Sequence, residues 1–175
     1  MKEHNNKGFS LIELVITIAI MAVVVGASVS IYSWIKSHRM QSFAENTNDV
    51  IGSLRSDTLS KDGAYELVIK KSGDNFVAEV SNGTKSETTM LGSAKYSSSL
   101  YGTVSSTKYT VEDGNEIHIS FNRVDGSFNK MDICTSSGSS IGSVSDGYIY
   151  LSTSGLSKKI KLVKLTGKHY IEKDW

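Results

Sequence analysis

Residues 9–35 read FSLIELVITIAIMAVVVGASVSIYSWI, 27 residues in which Glu13 is the one charged side chain. From Leu14 to Ala27 there is no charge at all. A helix rises about 1.5 Å per residue, so the run spans roughly 40 Å, and a bilayer core needs about 20 apolar residues. The stretch reads as a membrane-spanning helix. A cleaved secretory signal is the other reading, but its apolar part is roughly 7–15 residues long and ends at small residues. Here the run is longer, the polar head MKEHNNKG precedes it, and a carboxylate lies just inside it. Lys2 and Lys7 before the run balance Lys36 and Arg39 after it, so charge flanks leave the orientation open.

Working outward, the whole chain has 175 residues, formal net charge +1, 39% hydrophobic and 21% charged residues. That composition is too apolar for a disordered chain and too polar for a polytopic membrane protein. The near-zero charge gives no global reason to bind nucleic acid or anionic lipid. There is no proline, and the single cysteine, Cys134, excludes an intramolecular disulfide and a Cys-based zinc cluster.

The segment Lys7-Gly8-Phe9-Ser10-Leu11-Ile12-Glu13-Leu14, with the apolar run behind it, resembles the N-terminus of a type IV prepilin or pseudopilin. The resemblance implies a leader that a membrane-bound prepilin peptidase removes after Gly8, N-methylation of the new terminus at Phe9, and a role in filament assembly for Glu13. It also implies other pilin or pseudopilin subunits and a membrane assembly platform as partners. The precursor would be a single-pass protein of the cytoplasmic membrane, and the mature subunit would lie in a pilus at the cell surface. The residues fit these roles physically. Gly8 lets an extended backbone approach an active site closely. Glu13 costs about 2.5–3.5 kcal/mol if deep in a bilayer and unpaired. The Phe9 amine of a neighbour is a ready counter-charge, whereas a lone Glu13 would reach for the headgroups as a helix-start acid.

Past the run, Met40, Phe43, Ala44, Thr47, Val50, Ile51, Leu54 and Thr58 recur at three- and four-residue steps, with Gln41, Glu45, Asn48, Asp49, Arg55 and Asp57 between them. This amphipathic stripe predicts that the helix continues and packs one face on a globular head, with Gly63 as a stop. With no proline, Gly26, Ser28 and Ser30 are the only soft points of its membrane half, and Gly52 alone lowers propensity beyond it. After Gly63 the texture becomes β. A hairpin is expected at 65–70 and 76–80, with further strands near 109–111, 117–121, 131–134, 148–151, 160–165 and 169–173. Residues 135–147, rich in Ser and Gly, read as an exposed loop. The expected architecture is α+β and type IV pilin-like, one long N-terminal helix on an antiparallel β-sheet head. Its layout is a leader at 1–8, a transmembrane or filament-core helix at 9–35, an amphipathic continuation at 36–62 and a β-rich head at 63–175.

The strand and turn Ile117–Gly126 and the closing stretch Lys159–Lys168 are similar to minor pseudopilins of the GspH/FimT type, which often lack a C-terminal disulfide loop. Catalysis has little support. His4, His38, His118 and His169 sit in no metal-ligand spacing, and there is no GxSxG and no P-loop. No cofactor and no enzymatic activity are expected. Cys134 reads as a buried inert thiol, and Glu112-Asp113 as solvated turn charge. Asn82-Gly83-Thr84 matches a glycosylation sequon only formally, because the resemblance implies a prokaryote.

One cluster stands apart. From Lys158 to the end there are six lysines against Glu172 and Asp174, whereas residues 44–157 carry nine basic and 14 acidic side chains. Lys158, Lys159, Lys161, Lys164 and Lys168, with His169, Tyr170 and Trp175 nearby, are candidate DNA contacts, since lysines neutralise phosphates and aromatics stack on bases. The competing reading is an edge strand kept soluble by lysines. The resemblance adds weight to the DNA reading, because some FimT-like proteins bind DNA during uptake.

Overall fold

The computed structural model describes residues 9–95, 98–153 and 155–172. The chain divides into two compact units, Met1–His38 and Arg39–Trp175. One helix, α1 (Leu11–Ser60), runs through the boundary between them. Within the first unit its apolar residues face outward on every side. Leu11, Ile12, Leu14, Val15, Ile16, Ile18, Ile20, Met21 and Val23 to Val25 are all exposed. Among the described residues, none of the most apolar window is buried. By length and composition α1 is the one helix among the described residues able to cross a membrane.

The second unit explains the amphipathic stripe. Met40, Phe43, Ala44, Thr47, Ile51, Leu54 and Thr58 are buried, and Val50 packs against them at the margin. The two threonines enter the core without an orphan hydroxyl. Thr47 Oγ1 donates to the Phe43 carbonyl and Thr58 Oγ1 to the Leu54 carbonyl, each at 2.8 Å. Gly63, at φ +126, is in a conformation that L side chains rarely adopt and follows the helix end closely.

The helix face rests on two antiparallel sheets. The first has six strands in the order β3-β2-β1-β6-β7-β8, formed by β1 (Glu66–Ser72), β2 (Asn75–Ser81), β3 (Ser86–Ser93), β6 (Asn115–Phe121), β7 (Phe128–Thr135) and β8 (Ser140–Ser143). The second has five, in the order β11-β10-β9-β4-β5, from β4 (Ser98–Val104), β5 (Thr107–Thr110), β9 (Tyr148–Thr153), β10 (Leu156–Val163) and β11 (Lys168–Glu172). Alternation sends Ile117, Ile119 and Phe121 inward from β6, and Ile149 and Leu151 from β9. These join Leu67, Ile69, Leu100, Ile160 and Leu162 in one core with the helix.

Three strands depart from the sequence expectation. β3 is exposed over its first five residues and so shows no alternation. β4 mixes Ser, Gly and Thr with two inward residues, Leu100 and Gly102. β8 lies inside the Ser/Gly-rich stretch expected to be loop, where it pairs with β7. The strand expected at 109–111 ends at Thr110, and Val111 turns into a short 3-10 helix (Val111–Asp113) with its side chain buried.

One junction ties the pieces together. The Arg55 Nε donates to the Gly126 carbonyl at 3.0 Å, and Nη2 donates to the Thr166 carbonyl at 3.1 Å. One guanidinium thus holds the β6–β7 turn and the β10–β11 turn, which belong to different sheets. The Phe128 amide donates across the same seam to the Lys164 carbonyl at 3.0 Å. Gly167, at φ +64, lets the two turns meet: a Cβ there would lie 1.8 Å from the Gly126 carbonyl oxygen.

Two predictions follow from this packing. Gly167→Ala should cost roughly 2–4 kcal/mol, combining left-handed strain with a backbone clash. Gly73→Ala, at φ +57 with open space around it, should cost only about 1–2 kcal/mol. Urea titration of the full chain in detergent separates the two. The second concerns His169, which the register places opposite Leu162, facing inward rather than with the basic cluster. Its Nε2 lies 3.2 Å from where a Gly52 Cβ would be. Burial lowers the His169 pKa, and the Gly167 carbonyl, which favours the charged ring, does not offset it. The folded state therefore holds the neutral ring, and its stabilisation is full above the ordinary value of about 6.5 and lost as pH falls below it. The urea midpoint should drop between about pH 7 and pH 5, and His169→Gln should flatten part of that drop.

Candidate functional site

The N-terminal segment is built around Glu13. Ser10 starts the helix: its carbonyl accepts from the Leu14 amide at 3.2 Å. Its own amide donates to the Glu13 carboxylate, also at 3.2 Å. Ser10 and Glu13 thus stand at the two ends of a capping-box spacing, S-x-x-E, with the carboxylate returning to the chain start. The carboxylate ends one peptide unit from the Phe9 nitrogen, the atom that cleavage after Gly8 would convert to an ammonium. Phe9 is 82% exposed among the described residues. Gly8 itself lies outside the described residues, as does the whole leader. Thr17, the other polar side chain in the first turns, donates to the Leu14 carbonyl at 2.8 Å. The capping role was legible in the spacing but is invisible to a reading of Glu13 as charge alone.

The structure divides the lysine cluster. Lys159 and Lys161 share the outer face of β10, opposite the buried Ile160 and Leu162. Lys158 falls on the other face, in register with Leu151. Lys164 lies in the β10–β11 turn, and Lys168 opens β11. Lys173 and Trp175 are outside the described residues. Lys161 Nζ sits 3.8 Å from the centre of the Tyr148 ring, and Lys159 Nζ 5.1 Å from it. Lys159 also pairs with Glu172 at 2.7 Å, and this contact holds the Glu172 carboxyl below its usual range.

The row continues in residues that sequence reasoning did not single out. Tyr148 and Tyr150 have ring centres 5.9 Å apart, Tyr150 and Tyr101 stack in parallel at 4.9 Å, and Lys108 Nζ lies 3.9 Å over Tyr101. A Tyr-x-Tyr alternation signals half of this row; the other half depends on β4 and β5 pairing. The Tyr150 hydroxyl donates to Asp146 at 2.7 Å. Burial and that carboxylate push the phenol pKa up, while hydrogen bonds outweigh burial and hold Asp146 low. The rings face each other or an ammonium group. The face therefore offers ring edges, hydroxyls and lysine charge to a ligand, rather than open ring faces for base stacking.

Several other polar groups pair within the head. His118 lies between Glu66 at 3.0 Å and Glu116 at 3.2 Å, and Lys130 pairs with Glu66 at 2.8 Å. Burial raises the Glu66 pKa, but Lys130 and His118 outweigh it and hold the carboxyl low. Cys134 is buried, and burial pushes its thiol pKa up, as suits an inert side chain. An open recess of about 260 Å3 beside the β1–β2 turn is lined by Lys70, Lys71, Glu112 and Glu116 among others. Lys70 pairs with Glu79 at 2.5 Å, and Glu112 accepts the Leu100 amide at 3.0 Å. Among the described residues no cluster of His, Cys, Asp and Glu is arranged to hold a metal ion.

Residues 4–29 match the prokaryotic N-terminal methylation motif. Comparison with curated proteins and with solved structures finds no match. The matched segment contains the Gly8-Phe9 junction, Glu13 and most of the outward-facing apolar helix. That segment carries the motif on which a type IV prepilin or pseudopilin reading rests.

Proposed function

We propose that the protein is a structural subunit, of the minor kind, of a type IV pilus or a type II secretion-like pseudopilus. The single observation that carries this is a methylation motif continuous with a helix that exposes apolar side chains in all directions. On this reading prepilin peptidase cuts after Gly8 and Phe9 is N-methylated. Residues 9–35 then anchor the precursor in the cytoplasmic membrane before the assembly platform transfers it to a filament at the cell surface. Residues 36–62 carry the head at 63–175. The apolar helix surface finds its cover among neighbouring subunits, and Glu13 meets the Phe9 ammonium of one of them. The role is mechanical, not enzymatic, and the β-rich head without a disulfide fits the GspH/FimT-like group.

Mass spectrometry of the mature N-terminus tests this directly. The expected species begins at N-methyl-Phe9. An intact Met1 start, or a cut near Ala27, would sink the reading. Glu13→Val should leave processing intact yet lower the protein recovered in sheared filaments about tenfold or more, equivalent to about 1.4 kcal/mol of lost assembly energy. Full processing with no filament fraction at all in the wild type would point instead to a membrane-anchored surface protein that never polymerises.

A second reading is a DNA-binding minor pilin of an uptake system. It is favoured by Lys159 and Lys161 lying side by side on the outer face of β10 with Lys108 at the far end of the same aromatic row. If phosphates bind there, DNA retention weakens with salt, and the Lys159→Glu, Lys161→Glu double variant abolishes it. Each single Lys→Ala change should lower the slope of log affinity against log salt by about 0.7–0.9. Absence of salt-dependent retention by the wild type removes this reading.

A further inference from the structure

Beyond the all-round apolar run, the helix of the first unit ends in a different chemistry. Ile31, Tyr32 and Trp34 are 57%, 69% and 67% exposed. Two amphipathic rings therefore stand in the open where a soluble helix would carry charge. At 3.6 residues per turn, Tyr32 and Trp34 point about 200° apart. They occupy opposite sides of the helix and form a girdle, not a stripe. A protein partner docking on one face would call for a stripe; a solvent that surrounds the helix calls for a girdle. The polar residues that follow, Lys36 and His38, start where the apolar run ends, and the His38 ring centre lies 5.5 Å from that of Trp34. Indole and phenol rings with a basic residue just beyond them suit the zone where acyl chains give way to headgroups.

The spacing supports the same assignment. Trp34 follows Glu13 by 21 residues, which is about 31 Å along a helix, against about 30 Å for a bilayer hydrocarbon core. Glu13 and Trp34 can thus sit at opposite boundaries of one leaflet pair with little tilt. The carboxylate then escapes the cost of deep burial without needing a partner.

We infer that Tyr32 and Trp34 form an interfacial girdle that fixes the depth of the helix in a phospholipid bilayer, with Glu13 at the opposite boundary. The inference rests on the membrane-anchored reading above and adds the register of insertion, which that reading leaves open. The girdle makes the resting depth a property of this chain, set by two aromatic residues rather than by the length of the apolar run.

The test uses the full-length chain in phosphatidylcholine–phosphatidylglycerol vesicles. Trp175→Phe leaves Trp34 as the sole tryptophan. Bromine carried near the headgroup end of the acyl chain should quench Trp34 about twofold more than bromine near the chain terminus. A second variant, Tyr32→Trp with Trp34→Phe and Trp175→Phe, moves the reporter to the opposite side of the helix and should show the same preference. Quenching that is stronger from the deep label, or absent, overturns the inference. So does quenching at 34 without quenching at 32, which would mean one-sided docking. Protease protection of the apolar run, measured on the same vesicles, separates the two levels. Protection with failed quenching removes the girdle alone, whereas no protection removes the membrane-anchored reading as well.

Discussion

A helix whose apolar side chains point outward in every direction has to find its solvent outside its own chain, and the rest of this molecule follows from that constraint. The chain contains a core, and among the described residues the helix enters it from Met40 onward, where apolar positions return at three- and four-residue steps. In the apolar run at 9–35 the spacing has no polar back, so no packing against a single sheet would satisfy it. One continuous element therefore serves two media. The change between them is written as a change in periodicity, not as a break in the helix.

The second unit folds without covalent help. With one cysteine and no metal-ligand spacing, its stability comes from the two sheets and the buried helix face. That arrangement places a particular demand on the seam between the sheets, because two sets of turns must be held together there. Arg55 meets the demand from the helix by donating to carbonyls of both turns, and Gly167 removes the side chain that would hold them apart. The stretches Ile117–Gly126 and Lys159–Lys168 include the two turns that meet at this seam.

How much of this the sequence displays depends on whether a feature is local. The helix stripe and the hairpin of β1 and β2 are local patterns of apolar spacing and turn residues, and both are legible. β3 and β8 are not, because short Ser- and Thr-rich edge strands bury too little on either face to alternate. The lysine cluster is continuous in sequence but not one surface in the fold. Alternation along β10 separates Lys158 from Lys159 and Lys161, and His169 turns into the protein. The aromatic row from Tyr148 to Tyr101 needs β9 to lie beside β4, a long-range pairing that no window of sequence contains.

Glu13 shows how a local and an assembly role can share one side chain. Its carboxylate accepts the Ser10 amide in an exposed hydrogen bond, an interaction worth about 1 kcal/mol or less. That is enough to orient the group toward the chain start, but too little to resist a fully charged partner. On the proposed reading, cleavage after Gly8 creates an ammonium one residue before Ser10 on every subunit. The local cap then presents Glu13 at the depth where such amines lie, and exchange of the weak bond for a charge-assisted one accompanies association. A valine at the same position would suit the bilayer better and would carry no such information. The carboxylate is the costlier residue in lipid, and once it leaves the membrane boundary for a filament interior that cost is offset by the opposite charge of a second subunit.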